Sequence, residues 1–194
     1  MPAVPRHRQP IINAALTLFR RQGYARTGLN DIVDFSGAPK GSLYHYFPHG
    51  KSEIAVAAVE EAGARVAATL EKLAAECGST ADLLRAHARL LAGWMRSSGF
   101  RNGCPITTVL LELAPRERGV SEAGRRAYAA RLAILRRKLT EDGFARTRAD
   151  ALALLCTSAL QGALIQARVE RSGTAIETTA AELARLLEAE AGRR

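Results

Sequence analysis

Gly37 and Pro39 punctuate this chain in a way that leaves few folds open. Before them, Leu29, Ile32 and Val33 recur at helical spacing, which predicts a short helix over about 29–36. Gly37 supplies the tight turn, and Pro39 stands where proline is welcome, in the first turn of a second helix reaching about Phe47. Leu43 and Phe47, four residues apart, fall on one face of that helix and are assigned inward. Lys40, Ser42, Tyr44 and His45 are left for the outer face. Two short helices joined this way form a helix-turn-helix, whose second helix enters a DNA major groove.

The chemistry of residues 38–51 follows from groove geometry. Lys40 can reach a phosphate or the acceptors of guanine, and Gly41 removes a side chain where backbone must approach DNA closely. Ser42 and His45, one turn apart, can donate or accept at base edges. Tyr44 can set its hydroxyl on a phosphate and its ring on a sugar, and Tyr46 follows on the same short helix. Lys51 opens the next helix, where free amides and the helix dipole already favour a phosphate. Each residue alone also has an ordinary reading: Lys40, Lys51 and His45 as solvated surface groups, Tyr44 and Tyr46 as packing. Their combination behind Gly37 and Pro39 favours the groove.

Charge agrees with a polyanionic partner. Residues 1–51 hold seven Lys or Arg against two acids, and the whole chain carries a net charge of +9. Either nucleic acid or an anionic membrane surface satisfies that balance. The three cysteines (Cys77, Cys104, Cys156) are far apart and form no CxxC or Cys/His cluster, so neither a zinc site nor a disulfide framework is expected, and a reducing cytoplasm is. No cofactor is implied. The N-terminal residues lack the apolar core of a signal peptide. The uncharged run 151–167 includes Gln161 and Gln166 and falls short of the roughly 20 apolar residues that span a bilayer, so it reads as a buried helix and no membrane partner is expected.

The rest of the chain reads as helix throughout, about nine in all, with no strand-like alternation. The first is expected over 8–22, stopped by Gly23, and the fourth runs from Lys51 towards Cys77. Ser79 with Asp82, Thr147 with Asp150 and Thr174 with Glu177 have the spacing of capping boxes and mark later helix starts. The fifth helix is expected to carry Leu83, Leu84, His87, Leu91 and Trp94 on one stripe. Pro105 opens a helix that Pro115 closes.

Residues 6–66 resemble the DNA-binding domain of TetR-type transcriptional regulators. The resemblance lies in Gly23-Tyr24, Thr27, Leu29, Ile32-Val33, Ser36-Gly37, the run from Lys40 to Phe47, and Lys51. It implies a helix-turn-helix at 28–47, a recognition helix at 40–46, and phosphate contacts from Thr27, Tyr44 and Lys51. Gly28 departs from the hydroxyl residue usual at that cap, at a cost of a few tenths of a kcal/mol and a phosphate contact. The turn Phe47-Pro48-His49-Gly50-Lys51, then Gly103-Cys104-Pro105-Ile106 and Glu112-Leu113-Ala114, resembles the LmrA/YxaF-like branch. The fold implied is all-α: a three-helix DNA-binding domain at 6–66 and a helical effector-binding and dimerisation domain at 67–194.

That resemblance implies a homodimer on a palindromic double-stranded operator and a small, apolar or aromatic effector. Small residues Ala159, Gly162 and Ala163 would let the last two helices meet a second copy, or they are an ordinary core pair. Trp94, Met95, Phe100, Leu110 and Tyr128 either line an apolar pocket, with Gln161 or Glu112 as polar anchors, or pack in the core. Cys104, ahead of a prolyl helix start, is either a pocket or redox-sensing thiol or an inert one. The expected function is a repressor released by its effector. The alternatives are a TetR-like activator or redox sensor, and a membrane-surface helical protein. An enzyme is not expected: the four histidines are scattered, and there is neither a Gly-rich phosphate loop after a strand nor a nucleophile elbow.

Overall fold

The computed structural model describes residues 6–192. Residues 1–5, within the segment lacking a signal-peptide core, and 193–194, the end of the expected second domain, lie outside them. The described residues form nine α-helices and no strand: α1 (Arg8–Gln22), α2 (Leu29–Ser36), α3 (Lys40–Tyr46), α4 (Lys51–Glu76), α5 (Thr80–Ser97), α6 (Pro105–Leu113), α7 (Arg118–Glu141), α8 (Arg146–Glu170) and α9 (Thr174–Ala191). They divide into two compact units. The first takes the chain up to Ala64 together with Cys104–Ala127; the second takes Arg65–Gly103 and the chain from Tyr128 onward. The long helices α4 and α7 therefore serve both. The second domain expected from the sequence begins at 67 and takes in α6, but α6 and the start of α7 belong to the first unit.

In the first unit α1 packs on α2, α3 and α6. Ile11, Ile12, Phe19, Ile32, Leu43, Phe47 and Ile54 are almost wholly buried, so each short helix gives one or two large apolar residues to a shared core. Helices of seven and eight residues are marginal alone and hold through that packing. Backbone geometry fixes the turns. Gly37 sits at φ 65° and its N–H donates to the Val33 carbonyl, ending α2 in a left-handed cap that favours glycine. Ser36 Oγ donates to the same carbonyl and accepts the Ala38 N–H. Pro39 is the residue just before α3 rather than inside its first turn.

The second unit is built on one apolar cluster. Leu70, Leu73 and Ala74 of α4, Leu83, Leu84 and Met95 of α5, and Ile134, Leu135 and Leu139 of α7 pack in it with Leu152, Cys156 and Leu160 of α8 and Ile176, Leu183 and Leu187 of α9. Helix α5 starts on Ser79, whose hydroxyl accepts the Asp82 N–H and donates to its carboxylate at 2.8 Å, as the spacing predicts. The Asp142 carboxylate takes the next amide, Thr80 N–H, at 2.7 Å. The other two expected boxes do not form: α8 begins on Ala145 and α9 on Gly173, neither with a side-chain cap. Thr147 and Thr174 lie inside their helices, two residues and one residue past the cap, and the Thr174 hydroxyl pairs with that of Ser172 instead.

Two stripes differ from expectation. On α5 the last inward residue is Met95, 4% exposed, whereas Trp94, expected there, is 49% exposed. On α8 only one face is buried: Leu152, Ala153, Cys156, Leu160, Ala163 and Ala167 face the core, while Leu154, Leu155, Ile165 and Val169 are exposed. By length and composition α8 is apolar enough to cross a membrane, with 39% of its most apolar window buried. Its buried face is a core face, packed on α5 and α9.

Candidate nucleic-acid interface

Helix α3 has the division of faces that the sequence predicts. Leu43 is wholly buried, and Phe47, just past the helix end, is nearly so. Lys40, Gly41, Tyr44 and His45 are exposed, and Ser42 and Tyr46 half-buried. A side chain built on Gly41 would meet no protein atom within 4 Å, so packing makes no demand for glycine there. His45 and Tyr46 hold each other edge to face, ring centroids 4.9 Å apart. The helix is anchored at its start by the Ser42 N–H, which donates to the Pro39 carbonyl at 2.8 Å, and Pro39 itself is exposed. The result is a short rigid rod with one buried edge and one edge bearing a cation, a phenol and an imidazole.

Gly28 keeps half of a capping box. It has no side chain to give, but its own N–H donates to the Asp31 carboxylate at 2.7 Å. Thr27 is placed differently from what the resemblance implies. It is fully buried, and its hydroxyl donates to the Gly23 carbonyl at 2.7 Å, so this side chain braces the α1–α2 turn. Lys51 lies at the N-terminus of α4 with its Nζ 4.1 Å above the centre of the Tyr24 ring and 3.5 Å from the Ala25 carbonyl. Burial pushes its pKa down, opposed by the nearby Glu112 and Asp31 carboxylates. The cation is thus oriented from below by the turn, and an ammonium has further donors to offer.

Glu112 is a partner that sequence reasoning missed. Its position in the sequence suggests a polar anchor for the pocket or a wet surface acid. Instead its two carboxylate oxygens each accept an amide of the α1–α2 turn, Tyr24 N–H and Ala25 N–H, both at 2.7 Å. The approach is close: a side chain on Gly23, at φ 87°, would stand 2.7 Å from Glu112 Oε1. The only signal in the sequence is an acid set in the apolar run of α6. Hydrogen bonds to a charged acceptor contribute about 1.5–3 kcal/mol each when sheltered, less where half-exposed as here. Glu112→Gln keeps one acceptor and turns an NH2 towards the other amide. It should lower the unfolding free energy by about 2 kcal/mol in a urea titration; an unchanged midpoint would show that this brace carries no load.

The expected effector residues do not share one unit. Cys104 and Leu110 belong to the first unit, and Trp94, Met95, Phe100, Tyr128 and Gln161 to the second. Leu110 is engaged in packing, since a side chain on Gly124 would come within 2.6 Å of its Cδ2. Met95 is a core residue. Phe100 packs against that core with a left-handed backbone, φ 59°, and its N–H donates to the Met95 carbonyl. Cys104 is half-buried, directly before α6, and its carbonyl accepts both the N–H and the hydroxyl of Thr108. Tyr128 and Gln161 are half-buried. Among the described residues no group of three or more His, Cys, Asp or Glu comes together to hold a metal ion.

Comparison with known proteins is consistent at both ends of the chain. Residues 11–58 match the family described as bacterial regulatory proteins, tetR family. Residues 80–182 match the C-terminal domain described as transcriptional regulator LmrA/YxaF-like. An uncharacterized HTH-type transcriptional regulator of Mycobacterium tuberculosis is 38% identical over 191 residues, 96% of this chain and 95% of that one. The uncharacterized HTH-type transcriptional regulator YxaF of Bacillus subtilis is 32% identical over 86% of this chain and 87% of its own. Among solved structures, the regulatory protein TetR from Rhodobacter sphaeroides shares the fold, with a TM-score of 0.82 at 24% identity, covering 92% of this chain and 97% of that one.

Proposed function

Because this chain belongs to the TetR family of transcriptional regulators, in its LmrA/YxaF-like branch, we propose that it is a homodimeric repressor whose two α3 helices read a palindromic operator and whose second unit binds a small molecule that releases it. The observation that carries this reading is the outer edge of α3. Lys40, Tyr44 and His45 stand exposed on a rod that Leu43 and Phe47 hold from behind. Lys40 and Tyr44 take phosphates, Ser42 and His45 take base edges, Lys51 adds a phosphate contact from α4, and Pro39, Gly41 and Tyr46 shape the approach.

The exposed face of α8 supports a two-fold pairing. Leu154, Leu155, Ile165 and Val169 fall on one side of the helix, and Gly162, among them, has open space where a side chain would stand. A row of large apolar groups beside a gap is a surface that a second copy of itself can cover. The exposed positions of α9, such as Thr178, Glu182 and Arg185, are polar, so α8 supplies the apolar part of the interface and α9 its edge. Two heads joined this way meet half-sites about one helical turn, roughly 34–36 Å, apart.

A ligand releases such a dimer only to the extent that it binds one arrangement of the helices better than the other. The pairing is tested by Ile165→Glu. A glutamate in the middle of an apolar contact has no partner, so the variant should sediment as a folded monomer at micromolar concentration and lose operator binding by at least about a hundredfold. A variant that stays dimeric would place the interface elsewhere.

A further inference from the structure

Helix α7 is strongly basic, and nearly all of its charge is answered locally. Arg118 and Arg125 face Glu122, Arg126 faces Glu60, Arg136 faces Asp150, Arg137 faces Glu71, and Lys138 faces Glu141. Arg131 is the exception. It is the one buried arginine among the described residues, at 9% exposure, and no described carboxylate pairs with it. Its guanidinium carbon lies 5.8 Å from the centre of the Tyr128 ring, one turn back on the same helix. On α5, His87 is 7% exposed, and the Arg131 charge reaches it: burial first, then that charge, hold its pKa down at about 4, so the imidazole is neutral. Leu84 and Ala88 of α5 and Leu135 of α7 belong to one core, with Leu91 and Leu132 packed against it.

A buried cation without a counter-charge is costly to keep, and the salt-bridged residues around it show that this helix does not lack acids. A planar guanidinium matches a carboxylate with two parallel hydrogen bonds, and a neutral imidazole and a phenol can add donors without adding charge. We propose that Arg131, with Tyr128 one turn back on α7 and the buried His87 of α5 in the same unit, is the binding site for the carboxylate of a small acid whose remaining body is apolar. The inference deepens the effector reading above and rests on it for its consequence: the releasing ligand is an organic acid rather than a neutral apolar molecule.

The test uses the full-length dimer without DNA. Melting and calorimetric binding are followed with butanoate, octanoate, dodecanoate and benzoate, with octanamide and benzamide as neutral mimics, and with inorganic phosphate. At least one of the acids should bind and raise the melting temperature, its amide should bind about tenfold or more weakly, and phosphate should not compete. Arg131→Met, close in volume and uncharged, should melt higher than the unaltered chain without ligand and lose the response to acid. Arg131→Lys keeps the charge but not the planar fork, and should retain only weakened binding. Failure of all four acids, equal binding of acid and amide, preference for phosphate, or an unchanged response in both variants would each overturn the site. A chain that binds an acid through Arg131 yet keeps its operator would instead refute release by effector and leave this site standing.

Discussion

Replacing Lys40 and Tyr44 together by alanine should weaken operator binding about a thousandfold while leaving the fold as stable as before. Both side chains are exposed, so neither contributes core packing that the change would remove. In a two-fold complex each contact is lost twice, and four contacts at about 1 kcal/mol each give roughly three powers of ten. The two residues also differ in how they fail. Removing a cation that meets phosphate lowers the salt dependence of binding, by about one unit of slope for each contact, whereas removing a phenol leaves that slope nearly unchanged. Titrations of the single variants at several salt concentrations therefore separate the two roles. Equal affinity for the double variant and the unaltered chain would remove α3 from the interface.

A second large effect concerns acid. His87 is buried and neutral, its pKa lowered from 6.5 to about 4 by burial and by the Arg131 charge. Protons bind the unfolded imidazole more readily than the folded one across that interval, so the unfolded state gains as pH falls. The contribution is complete above pH 6.5 and is lost as pH drops through about 4, amounting to about 3 kcal/mol over the window. Exposed carboxylates with lowered pKa values, such as Glu71 beside Arg137 and Glu188 beside Arg85, lose stability in acid too, so the signal is a difference. Urea titrations between pH 7 and pH 4, read by the single tryptophan, Trp94 of α5, should show a steeper decline for the unaltered chain than for His87→Gln. Parallel declines would show that the imidazole titrates normally in the fold.

The reading head was legible in the sequence because its constraints are local. Gly37 must reach positive φ, Pro39 cannot continue α2, and the spacing of Leu43 and Phe47 fixes which edge of α3 faces out; the observed end of α2 and start of α3 follow from these, as the end of α1 follows from Gly23. What escaped depends on partners distant in sequence. Periodicity cannot separate Trp94 from Met95 when both sit near the edge of a stripe, and packing against the rest of the core chose the methionine. Thr147 and Thr174 have the right spacing for caps, but the preceding turns placed the helix starts one residue or more upstream. Glu112 lies 88 residues from Tyr24, and nothing local announces that its carboxylate closes the α1–α2 turn. Thr27, assigned to DNA by resemblance, is held by the same turn through its own hydroxyl. Arg131 is, in sequence, one more cation on a basic helix; only the fold pairs the acids around it with its neighbours.

The central claim is that two copies of α3, held by an α8-centred dimer, select one duplex sequence. Selection from a random duplex library by the full-length chain tests it with no operator chosen in advance. The account predicts enrichment of a two-fold-symmetric site whose half-sites are centred about one helical turn apart, with affinity falling steeply as salt rises. Recovery of no preferred sequence, or of a single unpaired half-site, would contradict it.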